Sequence, residues 1–349
     1  MLPLWFALAV FVGRNYAHSD DGPTLVGSHD ELKAAIANAS IPEIDVVANI
    51  EFPTTAYELE VPDGRKVKIG STHHAVLTGG GITRFFTVAG DLTLSGLTLK
   101  NGRAEHGGAV YVTATGSLAT LYCTFSYNRA MVKEFTSKPR WQKEDNVKYI
   151  WGEGGAIRFL GKLLTVEFST FTSNDGVGGA IWSGDSDSPA AATQLLATDT
   201  TFDGNKSPDS FGGGVVSHAK ASLVRCLFKD NFAKTSAGAV YSGSPKVPVD
   251  EALLELHGSA FAGNVAEYGY MSNDVAIRGG SSAGDLSCGA CEAVRTDGGL
   301  TNGFCEALKC TGCPTNADGT HESAWYQCSM AKGSNLLRQI AGKIQTAFW

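Results

Sequence analysis

A short pattern of apolar, small and polar positions recurs along the middle of the chain, between residues 90 and 275. Each copy holds two mostly apolar residues two positions apart, then a small residue, then Phe, with Asn three residues after the Phe. The five copies end in Phe125/Asn128, Phe171/Asn174, Phe202/Asn205, Phe228/Asn231 and Phe261/Asn264. Small-residue tetrads of the Gly-Gly-Ala-Ile type alternate with them at residues 107–110, 154–157, 178–181, 213–216 and 237–240. Two linked motifs in a fixed order predict a repeat protein.

The period of two within each copy predicts short strands with one buried face. The phase slips by one between the apolar pair and the small residue, which indicates a corner. A unit of about 26 residues with such short strands buries its apolar face only by stacking on the next unit. The sequence therefore predicts an all-β, parallel β-helix with a Phe file, an Asn file and a file of small residues at Cys123, Ser169, Thr200, Cys226 and Ser259.

The corner residues carry their own prediction. Asn tolerates left-handed backbone, so we expect the Asn file to occupy a left-handed bend and its carboxamides to hydrogen-bond from coil to coil. The paired Gly residues of the tetrads predict positive φ at another corner. Cys123 and Cys226 lie three copies apart, roughly 14 Å at strand spacing, which is too far for a disulfide. We expect two buried free thiols.

The motifs also resemble a known repeat type. Gly154-Gly155-Ala156-Ile157 and Phe171-Thr172-Ser173-Asn174 are similar to the paired signatures of the chlamydial polymorphic outer membrane proteins. The resemblance covers residues 30 to 275 and implies a right-handed parallel β-helix of the pectate-lyase-like type. It also implies placement outside the cell or at its surface, and adhesion through the repeat region.

The ends of the repeat block predict different elements. Leu32, Ala35 and Ile36 form the apolar side of a short helix over residues 29–37, which we expect to cap the open end of the column. Strands over residues 44–50, 57–61 and 67–69 form degenerate first coils, so the β-helix spans 18–285. The apolar stripe from Leu336 to Phe348 predicts an amphipathic helix over 331–349.

The N-terminus indicates the compartment. An apolar run from Leu2 to Val12 is too short to cross a hydrocarbon core of roughly 30 Å. It predicts a cleaved secretory signal over residues 1–17, the alternative being a buried N-terminal element. No other segment is long and apolar enough to predict a membrane span. In a secreted chain, the triplets that begin at Asn38 and Asn205 are N-glycosylation acceptors.

Six of the eight Cys lie between residues 286 and 330, at Cys288, Cys291, Cys305, Cys310, Cys313 and Cys328. Two C-x-x-C pairs among them have the spacing of a zinc site in a cytosolic protein. Behind a secretory signal, disulfides are favoured. We expect a small disulfide module with its pairing open among 15 connectivities.

Charge and composition limit the classes of partner and cofactor that we expect. A net charge of −7 with 18% charged residues gives no electrostatic reason for nucleic-acid binding. The histidines lack metal-ligand spacing, so no metal is predicted. Asp185 and Asp187 offer oxygen ligands for Ca²⁺, but no Glu completes a calcium loop, and no cofactor is expected.

Two groups of residues carry candidate chemistry. Asp199 and Asp203 in one copy align with Arg225 and Lys229 in the next, either as the acid and base of a polysaccharide-cleaving enzyme or as two cross-coil ion pairs. The ion pairs are the favoured interpretation. The insertion over residues 131–151 places cations beside flat rings, which suits an anionic glycan, although a merely solvated loop is the alternative. Its candidate ligand-binding residues are Lys138, Arg140, Trp141, Lys143, Tyr149 and Trp151.

These observations lead to one expected function with two alternatives. We expect a secreted or cell-surface β-helix protein that adheres to an extracellular glycan or a cell-surface protein, without catalysis. A polysaccharide lyase, epimerase or glycoside hydrolase on the same fold is the first alternative. A structural component of an extracellular matrix or coat is the second.

Overall fold

The computed structural model describes residues 22–53, 58–135, 147–185, 193–243, 253–257, 259–268, 275–277, 282–287, 290–295 and 305–311. Three long sheets of parallel strands form the walls of a right-handed parallel β-helix, which confirms the predicted fold class. The predicted signal segment 1–17 and the predicted C-terminal helix 331–349 lie outside the described residues.

Each coil visits the three sheets in the same order, and we name them sheets 1, 2 and 3. Sheet 1 contains β1 (Thr24–Val26), β2 (Glu43–Val46), β5 (Lys66–Gly70), β8 (Asp91–Ser95), β12 (Ser117–Leu121), β17 (Leu163–Glu167), β20 (Gln194–Thr198), β24 (Lys220–Val224), β28 (Leu253–His257), β32 (Ser282–Ser287), β33 (Ala290–Arg295) and β34 (Cys305–Thr311). Sheet 2 contains β3 (Ile50–Glu51), β6 (Val76–Thr78), β9 (Thr98–Lys100), β13 (Thr124–Ser126), β18 (Thr170–Thr172), β21 (Thr201–Asp203), β25 (Leu227–Lys229) and β29 (Ala260–Ala262). Sheet 3 contains β4 (Leu59–Val61), β7 (Phe86–Val88), β11 (Val110–Val112), β16 (Ile157–Phe159), β19 (Ile181–Ser183), β23 (Val215–Ser217), β27 (Val240–Ser242) and β31 (Val275–Ile277).

Two smaller sheets lie at the corner between sheets 2 and 3. One contains β10 (Arg103–Ala104), β14 (Arg129–Phe135) and β15 (Val147–Trp151), and the other contains β22 (Lys206–Ser207), β26 (Phe232–Ala233) and β30 (Val265–Ala266). Strands β14 and β15 pair antiparallel and form the two arms of a hairpin.

The Phe residues of the repeat form a single interior file. Phe125 pairs in register with Phe171, and the pairing continues along sheet 2 to Phe261, which is partly buried. Neighbouring ring centroids are 4.7 to 5.1 Å apart, and the rings lie within 12° of parallel. Because each ring is one strand spacing from the next, the apolar core is continuous along the column.

The Asn file also forms, and each carboxamide contacts the next one along the column. Its five members are all buried: Asn128, Asn174, Asn205, Asn231 and Asn264. Asn264 is the last of them. Its Oδ1 accepts from the backbone N–H and the Nδ2 of Asn231, both at 3.0 Å, and its Nδ2 donates to the Phe228 carbonyl. The predicted hydrogen bonding from coil to coil is therefore present through all five copies.

The residue with left-handed backbone at this corner is not the Asn itself. The positive φ falls on the residue before each Asn, at Tyr127, Ser173, Gly204, Asp230 and Gly263. The prediction of left-handed backbone was therefore wrong for all five Asn residues, namely Asn128, Asn174, Asn205, Asn231 and Asn264. The physical reason is that the preceding residue makes the bend and leaves the Asn side chain pointing into the column.

The Gly-rich tetrads form the third corner. Gly107 and Gly154, the first members of two tetrads, have φ of 58° and 68°. A Cβ on the second member, Gly155, would lie 2.3 Å from the Gly179 carbonyl oxygen in the next coil. The fourth tetrad differs from the prediction by one residue: Ile181 pairs with Val215, so the aligned tetrad is 212–215 and not 213–216.

The file of small residues satisfies backbone groups at the first corner. The backbone N–H of Cys123 donates to Ser169 Oγ at 3.1 Å, and that of Cys226 donates to Ser259 Oγ at 3.0 Å. Cys123 and Cys226 are buried and free. Burial raises the pKa of the Cys123 thiol to about 11 and that of Cys226 to about 12, so both stay protonated.

The first coil packs against one short helix, α1 (His29–Ala37). Its N-cap is Ser28, whose Oγ accepts from the Glu31 N–H, while the Glu31 carboxylate accepts from the Gly27 N–H. This pair resembles a capping box, but Glu31 reaches Gly27, one residue before the N-cap. The buried side is Leu32, Ala35 and Ile36, and the helix lies against β1, β2 and β4.

The last strands of sheet 1 belong to the segment in which the disulfide module was predicted. Strand β33 pairs antiparallel with β34, and Cys291 lies opposite Cys310 in their register, while Cys305 lies opposite Arg295. Cys288, Cys313 and Cys328 lie outside the described residues. Within the described part of the chain, no helix is long and apolar enough to cross a membrane.

Candidate functional site

A row of left-handed residues forms the corner between sheets 1 and 2, and we name it the corner row. In successive coils it contains Gly96, Tyr122, Phe168, Asp199 and Arg225, with φ between 47° and 65°. These residues directly follow strands that pair in register, so their side chains form one outward line along the column. Sequence analysis aligned Asp199 with Arg225 but did not predict the backbone conformation of the row.

Two aromatic residues occupy the centre of the corner row. Tyr122 is 58% exposed and Phe168 is 46% exposed. Their rings stack on each other with centroids 5.1 Å apart and an angle of 18° between the planes. Left-handed backbone costs a residue with a Cβ about 1 to 2 kcal/mol, and the equivalent position one coil earlier is Gly96. These two bulky side chains therefore occupy a strained backbone position without contributing to the core.

The next two coils place a tight ion pair in the same row. Arg225 donates from Nε to Asp199 Oδ1 at 2.8 Å and from Nη2 to Asp199 Oδ2 at 2.6 Å. The hydrogen bond from Arg225 lowers the pKa of Asp199, and the same bond raises the pKa of Arg225. Both carboxylate oxygens are engaged, so Asp199 is poorly suited to act as a general acid or base at neutral pH.

The second predicted pair is looser. Lys229 Nζ lies 3.9 Å from Asp203 Oδ2 and 3.5 Å from Asp230 Oδ2. All three side chains are 40% or more exposed, so the interaction contributes little to stability. The structure thus brings the four candidate charged residues together as two cross-coil ion pairs.

The outward side of sheet 2 is a flat strip lined by hydroxyl groups. Thr98, Thr124, Thr170 and Thr201 pair in register in four successive strands, and all are half-buried. Two residues on, the buried Ser126 and the half-buried Thr172 form a second, shorter file. We name these two files the threonine strip; the corner row runs along one of its edges.

Tyr127 lies on the opposite edge of the threonine strip. Its ring is 52% exposed and has the Lys100 ammonium 5.8 Å from its centroid. The hairpin of β14 and β15 begins two residues later, at Arg129, whose Nε lies 3.2 Å from Asp175 Oδ2. Burial raises the pKa of Asp175, although the nearby Arg129 lowers it.

The insertion was predicted to bind an anionic glycan, and the structure places only its arms. Tyr149 lies in β15 opposite Lys133 of β14, and Trp151 at the base of the hairpin is half-buried. Lys138, Arg140, Trp141 and Lys143 lie outside the described residues.

Sequence analysis missed a polar and aromatic cluster on the outward side of sheet 3. Arg158 is buried, ion-paired with Glu153, hydrogen-bonded to the Gly184 carbonyl and 5.7 Å from the Trp182 ring centroid. Burial lowers the pKa of Arg158 even beside Glu153. The available signal was the large residue at the middle of two successive strands, Arg158 and Trp182, in a position where side chains point outward.

His218 belongs to the same cluster. Its ring lies 4.7 Å from that of Trp182, and its Nδ1 is 2.7 Å from the Gly243 carbonyl oxygen. Its Nε2 is buried and has no hydrogen-bond partner among the described residues. Burial lowers the pKa of His218 to about 4.

The predicted modification and ion sites fall in different environments. Asn38 is exposed, and its Oδ1 accepts from the Ser40 backbone and hydroxyl. Asn205 is fully buried and its Nδ2 donates to the Phe171 carbonyl and to Asn231, so a glycan on that nitrogen is incompatible with the folded Asn file. Asp187 lies outside the described residues, within which no group of three or more His, Cys, Asp or Glu is placed to hold a metal ion.

No protein-family model matches the chain, and comparison with the curated proteins and with the solved structures finds no match to either.

Proposed function

We propose that this protein binds an extracellular glycan along the flat side of its β-helix, without catalysis. The observation that carries the proposal is the pair Tyr122 and Phe168. Both residues are bulky and about half exposed, and both have left-handed backbone. Their backbone conformation therefore costs free energy on folding, and their side chains do not pack in the core. The coil imposes this left-handed backbone on every residue of the corner row, so the presence of two large exposed aromatic side chains at such positions supports a functional role for them.

The surroundings of the pair suit a sugar chain. Aromatic faces pack against the C–H faces of sugar rings, while hydroxyl groups exchange hydrogen bonds with sugar hydroxyls. The threonine strip supplies such hydroxyls beside the aromatic pair, at one strand spacing, about 4.8 Å, from coil to coil. A rigid flat strip of this kind loses little conformational entropy on binding a linear polymer.

The placement outside the cell is part of the proposal. The secretory signal expected over residues 1–17 supports it, and so does the resemblance of the Gly-Gly-Ala-Ile and Phe-x-x-Asn motifs to a family of surface adhesins. The hairpin of β14 and β15 begins two residues after Tyr127, and the cations and rings in the sequence of the insertion suit the same class of ligand.

The enzyme alternative has a specific weakness. Catalysis at the corner row requires Asp199 to exchange a proton, but Arg225 holds both of its oxygens and lowers its pKa. We therefore assign Asp199 and Arg225 to stabilising the corner row beside the aromatic pair.

The experiment is a binding screen on immobilised pectate, alginate, xylan and chitin. Wild type is compared with a Tyr122→Ser/Phe168→Ser double variant and with Tyr268→Ser, an exposed aromatic on another corner, as the control. We expect wild type and control to bind at least one polymer equally and the double variant to lose at least tenfold in affinity. Equal binding by all three proteins contradicts the proposed site, and release of unsaturated or reducing ends by wild type contradicts the absence of catalysis.

A further inference from the structure

A shallow depression of about 180 Å³ lies on the outward side of sheet 1, over strands β20, β24 and β28. It is lined by Gln194, Leu196, Lys220, Ser222 and Glu255, together with Ala221. The register explains its position. Leu196, Ser222 and Glu255 are successive partners across the three strands, so the small Ser222 leaves a gap between two larger side chains.

The lining groups differ in chemistry on the two sides of the gap. Lys220 and Gln194 pair in register on one side, where they offer an ammonium group and an amide. Glu255 lies on the other side, with the Ser222 hydroxyl between them. Leu196 is 40% exposed and supplies an apolar wall. A ligand that is complementary to these lining groups has one anionic group, several hydroxyls and one apolar face.

Among the described residues, four lysines on the outer faces have a carboxylate partner, whereas Lys220 belongs with Lys100, Lys162 and Lys206, which have none. Lys66, Lys68, Lys229 and Lys234 each lie within 4 Å of a carboxylate. Within the described ranges, Lys220 has no such ion pair, and its side chain borders the depression. An exposed ammonium at the edge of a concave polar surface is suited to pair with an anionic group of a ligand.

We infer that this depression is a second binding site, which takes one sugar residue that carries a carboxylate, such as a hexuronate. The carboxylate pairs with Lys220, the sugar hydroxyls bond to Gln194 and Ser222, a further hydroxyl donates to Glu255, and a C–H face packs on Leu196. The volume suits a single ring, since drug-sized ligands occupy roughly 300 to 1,000 Å³. The inference takes its ligand class from the proposed function and narrows it to acidic glycans.

The test uses single sugars, so that it is independent of the aromatic pair. Galacturonate, galactose and lactate are titrated into the full-length protein and followed by NMR. We expect wild type to bind galacturonate more tightly than galactose, and lactate most weakly. Lys220→Gln is expected to lower galacturonate affinity about three- to fivefold, as for an exposed ion pair, and to abolish the preference over galactose. Ser222→Leu, which fills the gap and keeps the charge, is expected to abolish binding of both sugars.

Lys68→Gln is the matched control, because Lys68 also lies on the outward side of sheet 1 but at β5, far from the depression. It is expected to bind as wild type does. No sugar binding by wild type, equal binding of lactate and galacturonate, or full binding by Ser222→Leu each overturns the inference.

The Tyr122→Ser/Phe168→Ser variant separates the two proposals. Loss of polymer binding with normal galacturonate binding supports both, whereas normal polymer binding with normal galacturonate binding removes only the aromatic site.

Discussion

Asn174 and Asn205 are joined across two successive coils by a shared oxygen. The Asn174 backbone N–H and its Nδ2 both donate to Asn205 Oδ1, at 3.0 and 2.9 Å. Asn205 Nδ2 in turn donates to the Phe171 carbonyl and to Asn231 Oδ1. One buried side chain therefore satisfies four groups at the corner, and Asn174 and Asn231 do the same. Asn128 satisfies three, because the previous coil has Gly102 in place of an Asn.

The first prediction concerns this network. Asn205→Ala leaves buried donors and acceptors without partners, each of which costs about 1 to 3 kcal/mol, so we expect a loss of at least about 3 kcal/mol in the free energy of unfolding. Chemical denaturation measures it. Asn49→Ala is the control, because Asn49 is exposed and accepts one hydrogen bond, and it is expected to lose less than about 1 kcal/mol. Equal losses in both variants contradict the role of the file.

The second prediction contrasts two phenylalanines. Phe202 is fully buried between Phe171 and Phe228, so Phe202→Ala is expected to cost about 3 to 5 kcal/mol of unfolding free energy. Phe168→Leu, at the exposed corner, is expected to change stability by less than about 0.5 kcal/mol. A thermal or denaturant melt of each variant measures the difference. Similar values for the two positions mean that the Phe file is not the core.

Sequence reasoning found the files because each has the same residue type in every coil. Phe125 and Phe171 recur with the spacing of the Asn residues, and a single stacking rule accounts for both. The bend before the Asn file escaped prediction because Tyr127, Ser173 and Gly204 share no residue type, although they share a backbone conformation. A backbone conformation that the coil imposes does not require one residue type, so the sequence does not show it.

The candidate site was predictable only in part. Asp199 and Arg225 were found because opposite charges recur at one repeat length. The same row holds Tyr122 and Phe168, but side-chain period alone does not show that a corner residue is left-handed and strained. The depression around Ser222 depends on the sizes of side chains in three separate strands, β20, β24 and β28. Sequence analysis of one repeat at a time does not compare these side chains, so the depression was not predicted.

The third prediction concerns pH. His218 is buried and has a pKa of about 4, below the ordinary value of 6.5, so the folded state favours the neutral ring. Its contribution to stability is complete above pH 6.5 and is lost as the pH falls towards 4, because the unfolded chain binds the proton first. The loss is on the order of 3 kcal/mol.

Unfolding free energies at about pH 7.5 and about pH 4 measure this effect. In His218→Gln the difference between the two pH values is expected to shrink by that amount. His73→Gln is the control, since His73 is exposed, and it is expected to keep the wild-type pH dependence. A His218→Gln profile parallel to that of wild type refutes the assignment.

The fourth prediction concerns the ion pair of the corner row. Arg225 is 60% exposed, so Arg225→Ala is expected to cost only about 0.2 to 1 kcal/mol of unfolding free energy in low salt, and less in about 1 M NaCl. Denaturation at two salt concentrations measures it. A loss of several kcal/mol that persists in high salt means that the pair is a buried structural element instead.

The fifth prediction separates stability from binding at Phe168. Gly accepts left-handed backbone without strain, although it loses more entropy on folding, and Gly96 already occupies the equivalent position. Phe168→Gly is therefore expected to leave the unfolding free energy unchanged or to raise it by up to about 1 kcal/mol.

The most direct test of the proposed glycan site measures both properties on one preparation of Phe168→Gly: its denaturation midpoint, and its retention on the polysaccharide that wild type binds best. The account predicts a midpoint equal to or above that of wild type together with loss of retention. A Phe168→Gly protein that is as stable as wild type and is retained equally well contradicts it.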